Sequence, residues 1–355
     1  MNLDLDYRPR DPKRFRPGIG IIGCGGIVAS HLAGYAKGNY RVVALADPNE
    51  ANLAEKAKLV PGAQTFTDHR QLLALPDVEV CDIATHPRPR VALIRDALNA
   101  GRHVLSQKPF VLDLEVGEEL VRLARRKRVK LAVNQNGRYS PAWRYSHLAI
   151  QAGLIGEVTS VHLRCHWNHD WVAERPFNRI HHVILYDFAI HWFDILTAWM
   201  GEREPRRVFA SVSHAPGQRA TPPLLGQALV EYEGAQATLV FDAHQTAGGE
   251  FSFFIGGTKG SIAASGPDLN SKPLELRLPD GAYRPRLDGA WFPDGFHGTM
   301  GELLCAIEER REPWNNAKDN LRSLRTCFAA CLSADRGKPV DPRTVKRLPK
   351  GNEAE

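Results

Sequence analysis

The stretch "GIGIIGCGGIVAS", residues 18–30, decides the fold of this chain. Ile19, Ile21 and Ile22 make a short apolar run of the kind that forms a buried strand. Gly23, Gly25 and Gly26 follow at once, and a helical pattern begins behind them. A strand that passes into a helix through glycines brings backbone N–H groups and the positive helix end up to an anion such as a pyrophosphate. Asp47 strengthens that reading. It stands 24 residues after Gly23, at the end of the next apolar run, where a carboxylate accepts hydrogen bonds from ribose hydroxyls. The same carboxylate would repel a 2′-phosphate, so NAD is expected in preference to NADP. The third glycine position of such loops is Val28 here, a departure that forbids the closest helix packing.

Outward from this loop, residues 17 to 136 alternate apolar runs with helical patterns, the βαβ signature of a parallel sheet. The strands read as "IGIIG", "RVVALAD", "QTF", "VEVCDIAT", "RHVLSQ" and "VKLAVNQ". After "NGRYSPAW" the texture changes. "SVHLRCHWNHD" alternates Val161, Leu163, Cys165 and Trp167 with His162, Arg164, His166 and Asn168. Six further alternating runs are split by Gly and Pro turns. The expected architecture is therefore α/β: a doubly wound Rossmann domain, then a domain built on a large, mostly antiparallel, open-faced sheet. The expected divisions are an N-terminal arm at 1–16, loose or laid across a neighbouring subunit, a dinucleotide-binding domain at 17–136, and a substrate and oligomerisation domain at 137–355.

Composition excludes several classes. With 355 residues, 43% hydrophobic and 24% charged, the chain is globular material sufficient for two cores. No apolar run is long enough to cross a bilayer and no secretory leader is visible, so a cytoplasmic protein with no membrane partner is expected. The net charge of +6 is dispersed and comes with no nucleic-acid module, so no nucleic-acid partner is expected. The six cysteines form no CxxC pair. Histidines at 162, 166, 169, 181 and 182 lack the carboxylate-histidine spacing of a zinc site, and no metal is expected.

Two stretches carry chemistry. "HVLSQKPF" places Lys108 just past the fifth strand, at the carboxyl edge where doubly wound sheets bind ligands, although a lysine in that place is often only surface. "LYDFAIHWFDIL", residues 185–196, is greasy except for Asp187, His191 and Asp194, which fall within an arc of about 60° on an α-helix. On spacing alone this stripe reads equally as the wet side of an amphipathic helix.

The order and spacing of "GIIGCGGI", "ALADPN", "DIATHP", "ALNAGRHVLSQKP", "NQNGRYSPAW", "GLIGEV" and "DFAIHWFD" resemble the Gfo/Idh/MocA oxidoreductase family. The likeness runs over roughly residues 17 to 340. It implies that Lys108, Asp187 and His191 face a nicotinamide as catalytic groups. It further implies cofactor binding by Gly23, Gly25, Gly26, Ile27, Asp47, Thr85, Gln107, Lys108 and Asn136. Substrate would be met by Arg138, Trp143, His166, Asp187 and His191, with Asp194 structural. Three departures stand out. Gln107 replaces the family's usual glutamate, Phe188, Ala189 and Ile190 replace small residues, and Arg90 stands about where a histidine is frequent.

The expected activity is oxidation of a secondary hydroxyl of a sugar, glycoside, sugar acid or cyclitol to a ketone, or its reverse. Hydride would pass to the nicotinamide while His191 and Lys108 handle the proton. The alternatives are a non-catalytic NAD-binding sensor of the same fold, and an enzyme whose tightly held NAD cycles between two substrates. A broad open sheet seeks a partner, so a homo-oligomer, dimer or tetramer, is expected.

Overall fold

The computed structural model describes residues 3–270 and 273–351; residues 1 and 2 of the expected arm, and 352–355 at the other end, lie outside the described residues. The chain divides into two compact units.

The first unit comprises Pro9–Tyr139 and Phe292–Leu321. Its strands are β1 (Gly18–Ile22), β2 (Arg41–Ala46), β3 (Gln64–Phe66), β4 (Val78–Ile83), β5 (His103–Gln107) and β6 (Leu131–Asn134). They form one parallel sheet in the order β3-β2-β1-β4-β5-β6, the doubly wound arrangement. Helices α1 (Val28–Lys37), α2 (Glu50–Ala57), α3 (His69–Leu73), α4 (Pro87–Asn99) and α5 (Leu114–Lys127) join them. Local chemistry sets their ends. Asp113 caps α5 by accepting the Glu115 N–H, and Arg125, Arg126 and Lys127 lie against the negative end of its dipole. Residues 125–128, "RRKR", thus form a basic helix terminus.

The second domain, expected as the continuous stretch 137–355, is interrupted in the structure. Phe292–Leu321 belongs to the first unit because Met300, Leu303 and Leu304 complete its core with Ile19, Val28, Leu45, Val80 and Leu105. The described part of the arm is not loose, since it packs on its own chain. Glu308 accepts the backbone N–H groups of Lys13, Arg14 and Phe15 at 2.9, 2.7 and 2.6 Å. Residues of the arm up to Arg8 belong to the other unit, where Tyr7 is buried edge-on to Tyr145 and the Tyr145 hydroxyl donates to Leu3 O at 2.9 Å.

The second unit holds Ser140–Trp291 and Arg322–Glu355 besides those first residues. Its strands are β7 (Val158–His166), β8 (Arg207–Ser213), β9 (Leu225–Tyr232), β10 (Ala235–Asp242), β11 (Glu250–Gly257), β12 (Ser261–Gly266), β13 (Leu274–Leu278) and β14 (Gly281–Tyr283). They form a single sheet, β14-β13-β12-β11-β7-β10-β9-β8, antiparallel throughout except for the β7–β10 pair. Along β7 Val161, Leu163 and Cys165 are buried while His162 and Arg164 are exposed, the expected alternation. Two helices, α6 (Pro141–Gln151) and α7 (Ile190–Met200), contribute to the core, and α7 packs on β7. Trp143, Trp192, Trp199 and Trp291 form its centre. The remaining helices, α8 (Trp291–Glu308, non-helical at Phe292) and α9 (Ala317–Arg336), complete the chain. Among the described residues no helix is long and apolar enough to cross a membrane.

Candidate functional site

The glycine loop is built for close approach. Gly23 has φ +93°, and a Cβ on it would lie 2.7 Å from Thr85 Cγ2 and 3.0 Å from the Ala84 carbonyl, so only glycine fits. Gly25 and Gly26 face open space, with nothing within 4 Å of a Cβ at either. Helix α1 then begins at Val28 with no side-chain cap at Ile27 and no acidic residue in its first turn, leaving its positive end to a ligand. Val28 is fully buried in the core, which absorbs the departure from glycine.

Asp47 serves this loop. Its carboxylate accepts the Cys24 N–H at 2.6 Å and the Asn49 N–H at 2.8 Å, so it is held beside the turn. Burial, with Asp47 adding to it, pushes the Cys24 thiol up to about 12. Small residues, an uncapped helix end and a carboxylate at the second strand suit a dinucleotide's pyrophosphate and ribose. Gln135, just past β6, is nearly fully buried and its side-chain amide has no hydrogen-bond partner among the described residues, which leaves a donor and an acceptor at the same sheet edge.

Lys108 is held through its backbone. Gln107 Oε1 accepts the Lys108 N–H at 2.8 Å, and the Lys108–Pro109 peptide is cis. Arg90, fully buried at the start of α4, donates to the carbonyls of Thr85 and Pro109 and so ties the loop after β4 to the loop after β5. That is the role of the third departure, and the sequence held no sign of it. Asn136 is buried in a tight turn, where its carbonyl would collide with any Cβ on Gly295.

In the second unit, residues 184–188 form a π-helical turn, closed by the Ala189 N–H bonding to Ile184 O, before α7 begins at Ile190. The single α-helical phase expected over 185–196 is therefore corrected, because the extra residue in the turn shifts Asp187 relative to His191. Asp187, Phe188 and His191 are half-buried while their neighbours are fully buried. Phe188 stacks between Trp167 at 4.0 Å and Trp192 at 4.6 Å, and His191 meets Trp291 edge-on at 5.3 Å. Asp194 points into the core and accepts the Ser323 hydroxyl at 3.0 Å.

The substrate candidates separate. His166 is half-buried at the end of β7, and its Nε2 has no hydrogen-bond partner among the described residues. Arg138 and Trp143 are committed elsewhere and need correction. Arg138 is buried, donates to Trp314 O and lies 5.1 Å over the Trp314 ring, while Trp143 is a core tryptophan packed on Trp192. His181 and His182 both pair with Asp335, at 3.1 and 2.7 Å. Burial lowers His182 below its usual value, against the pull of Asp335. A depression of about 600 Å³ on the open sheet face, lined by His162, Arg164, Phe254 and Glu275 among others, shares no residue with the glycine loop, Lys108 or the Asp187–His191 stripe.

A family model described as the oxidoreductase family with an NAD-binding Rossmann fold matches residues 18–135, and a second, the GFO/IDH/MocA C-terminal domain, matches 143–263. An inositol 2-dehydrogenase of Rhizobium meliloti is 28% identical over 327 residues, covering 89% of this chain and 96% of that protein. A 1,5-anhydro-D-fructose reductase of Ensifer adhaerens is 26% identical over 291 residues, 79% of this chain and 85% of its own. The crystal structure of an Agrobacterium radiobacter oxidoreductase in complex with NAD+, L-tartaric acid and magnesium superposes with a TM-score of 0.83 over 93% of this chain and 99% of that one. At 20% identity that likeness speaks for the fold.

Proposed function

The chain belongs to the Gfo/Idh/MocA oxidoreductase family, and from that premise we propose that it is an NAD-dependent dehydrogenase oxidising a secondary hydroxyl of a sugar, glycoside, sugar acid or cyclitol to a ketone, or the reverse. The observation that carries the proposal is the pairing of a dinucleotide loop with a lysine braced on both sides of its backbone by Gln107 and Arg90. An NAD-binding sensor has no need of that lysine. The names of the relatives, an inositol dehydrogenase and an anhydrofructose reductase, support the substrate class.

When bound, NAD supplies the hydride acceptor at its nicotinamide C4. Gly23, Gly25, Gly26 and Ile27 would hold its pyrophosphate and Asp47 its ribose, with Thr85, Gln107 and Asn136 nearby. The repulsion of Asp47 for a 2′-phosphate favours NAD over NADP. The His191 imidazole takes the proton from the substrate hydroxyl oxygen, a transfer that the ordinary titration range of histidine suits. Lys108 Nζ donates a hydrogen bond to that same oxygen and favours its developing negative charge. Asp187 orients the imidazole or binds a neighbouring hydroxyl, and His166 reads another.

Lys108→Met and His191→Ala test the assignment. Each should lower kcat by about 10² to 10⁴ while NAD binding by calorimetry persists. Near wild-type turnover in both would contradict it. We also propose that the open sheet face, where Phe209 and Leu229 are exposed side by side, pairs with a second copy of the chain. Light scattering at micromolar concentration should find a dimer or tetramer, and a monomer would contradict the pairing.

A further inference from the structure

A run of buried polar side chains lies within the first unit beneath the Lys108 loop. His31, on α1, has no exposed surface. Its Nδ1 is 2.7 Å from Asp82 Oδ2, an oxygen that also accepts the Tyr35 hydroxyl at 2.6 Å. Its Nε2 meets Gln107 Nε2 and Asn134 Nδ2, each at 3.2 Å. The Thr299 hydroxyl donates to Asn134 Oδ1 at 2.8 Å. Asp82 is as fully buried as His31 and stands between the buried apolar Cys81 and Ile83 on β4.

The chemistry fixes the protons. A backbone N–H can only donate, so the Gln107 atom that faces the Lys108 N–H is the carbonyl oxygen. The Gln107 atom that faces His31 is therefore the NH₂ group, a donor only. Nε2 of His31 must accept from it, and the ring proton sits on Nδ1, directed at the Asp82 carboxylate.

We propose that His31 is a positioning residue for Lys108, acting through Gln107, and that it is the reason a glutamine stands at 107. Asp82 selects the tautomer, the tautomer demands a donor at Nε2, and a glutamine that donates there turns its oxygen to the Lys108 N–H. A glutamate at that position has no proton to give. It would set a carboxylate against the Nε2 lone pair unless His31 took a second proton and became an imidazolium between two carboxylates, the introduced one and that of Asp82. The titratable groups facing His31 are Asp82 on β4 and Tyr35 on its own helix, and from α8 it meets the Phe296 ring at 4.7 Å. Burial and the neighbouring Asp82 raise the Tyr35 hydroxyl well above its usual range, so it stays protonated as pH rises.

The kinetic part of the test rests on the role proposed above for Lys108, and the spectroscopic part does not. In ¹⁵N-histidine-labelled protein, long-range ¹H–¹⁵N spectra of the 14 histidines at pH 8 should include one ring with a bare Nε2 and a protonated Nδ1. His31→Gln should remove it. In Gln107→Glu the same ring should carry protons on both nitrogens at pH 6. The variant's kcat should fall about tenfold more than the wild type's between pH 6 and 9, as the second proton leaves. A wild-type ring protonated on Nε2, or a Gln107→Glu profile parallel to the wild type, would overturn the inference. The expected tautomer in a protein that turns over no hydroxyl substrate would overturn the reading of Lys108 and leave the buried network standing.

Discussion

Replacing Asp47 with alanine separates its two duties. In the structure the carboxylate holds the Cys24 N–H at 2.6 Å, partly buried, and the Asn49 N–H at 2.8 Å, exposed. Hydrogen bonds to a charged group contribute about 1.5 to 3 kcal/mol, and water can replace the exposed one, so Asp47→Ala should cost about 2 kcal/mol of stability. Loss of the ribose acceptor should weaken NAD by about tenfold or more, the effect of one or two hydrogen bonds. NADP should weaken less or gain, because the repulsion of its 2′-phosphate disappears. Asp47→Asn is the comparison: it keeps an oxygen for the Cys24 N–H and most of the stability, yet loses the charge. Urea denaturation reads the first duty, and calorimetric titration with NAD and NADP reads the second. If stability falls as expected but the ratio of the two affinities stays at its wild-type value in both variants, Asp47 is a brace for the loop and the argument for cofactor preference is wrong.

Other sites test other parts of the account. A Cβ on Gly34 would lie 2.7 Å from both His297 N and Phe296 Cβ, so Gly34→Ala should destabilise the chain by about 1 to 3 kcal/mol through overpacking of α1 on α8; an unchanged thermal midpoint would refute that packing. Burial, helped by Lys130, lowers His103 from 6.5 to about 4 in the folded chain. The unfolded chain therefore takes a proton that the folded chain refuses, and this stability is complete above pH 6.5 and lost as pH falls toward 4, by up to about 3 kcal/mol. His103→Asn can still accept the Lys130 N–H, and its urea midpoint should fall less between pH 7 and 4.5; an identical fall would count against His103. All six cysteines are buried, and burial pushes Cys81 up to about 12, so alkylation at pH 8 should be slow until urea is added.

What the sequence revealed follows from what local patterns encode. Five strands of the first unit, β1, β2, β4, β5 and β6, were legible because each is a short, largely apolar and buried run, whereas β3 has only three residues, none of them buried. Helix α6 was not, because Trp143, Tyr145, Ser146, His147 and Ala149 are all buried and no polar face marks its period. With only five residues, α3 is too short to show one. Phe292–Leu321 reads as ordinary helix, and no local pattern reports which sheet a helix packs against. At the candidate site, Asp187 and His191 are half-buried while Asp194 is buried, a difference that the shared helical arc did not foretell. The π-turn escaped because periodicity arguments assume a constant phase. Arg90, His31 and Asp82 were invisible as a group, since their meaning lies in partners far away in sequence.

The most direct measurement is absorbance at 340 nm when the purified protein is given NAD and a panel of sugars, glycosides, sugar acids and inositols. A rise with one class, abolished in Lys108→Met, is the predicted result. No rise with any of them, with NAD binding seen by calorimetry and no NAD released on denaturation, would contradict the dehydrogenase reading and favour a sensor.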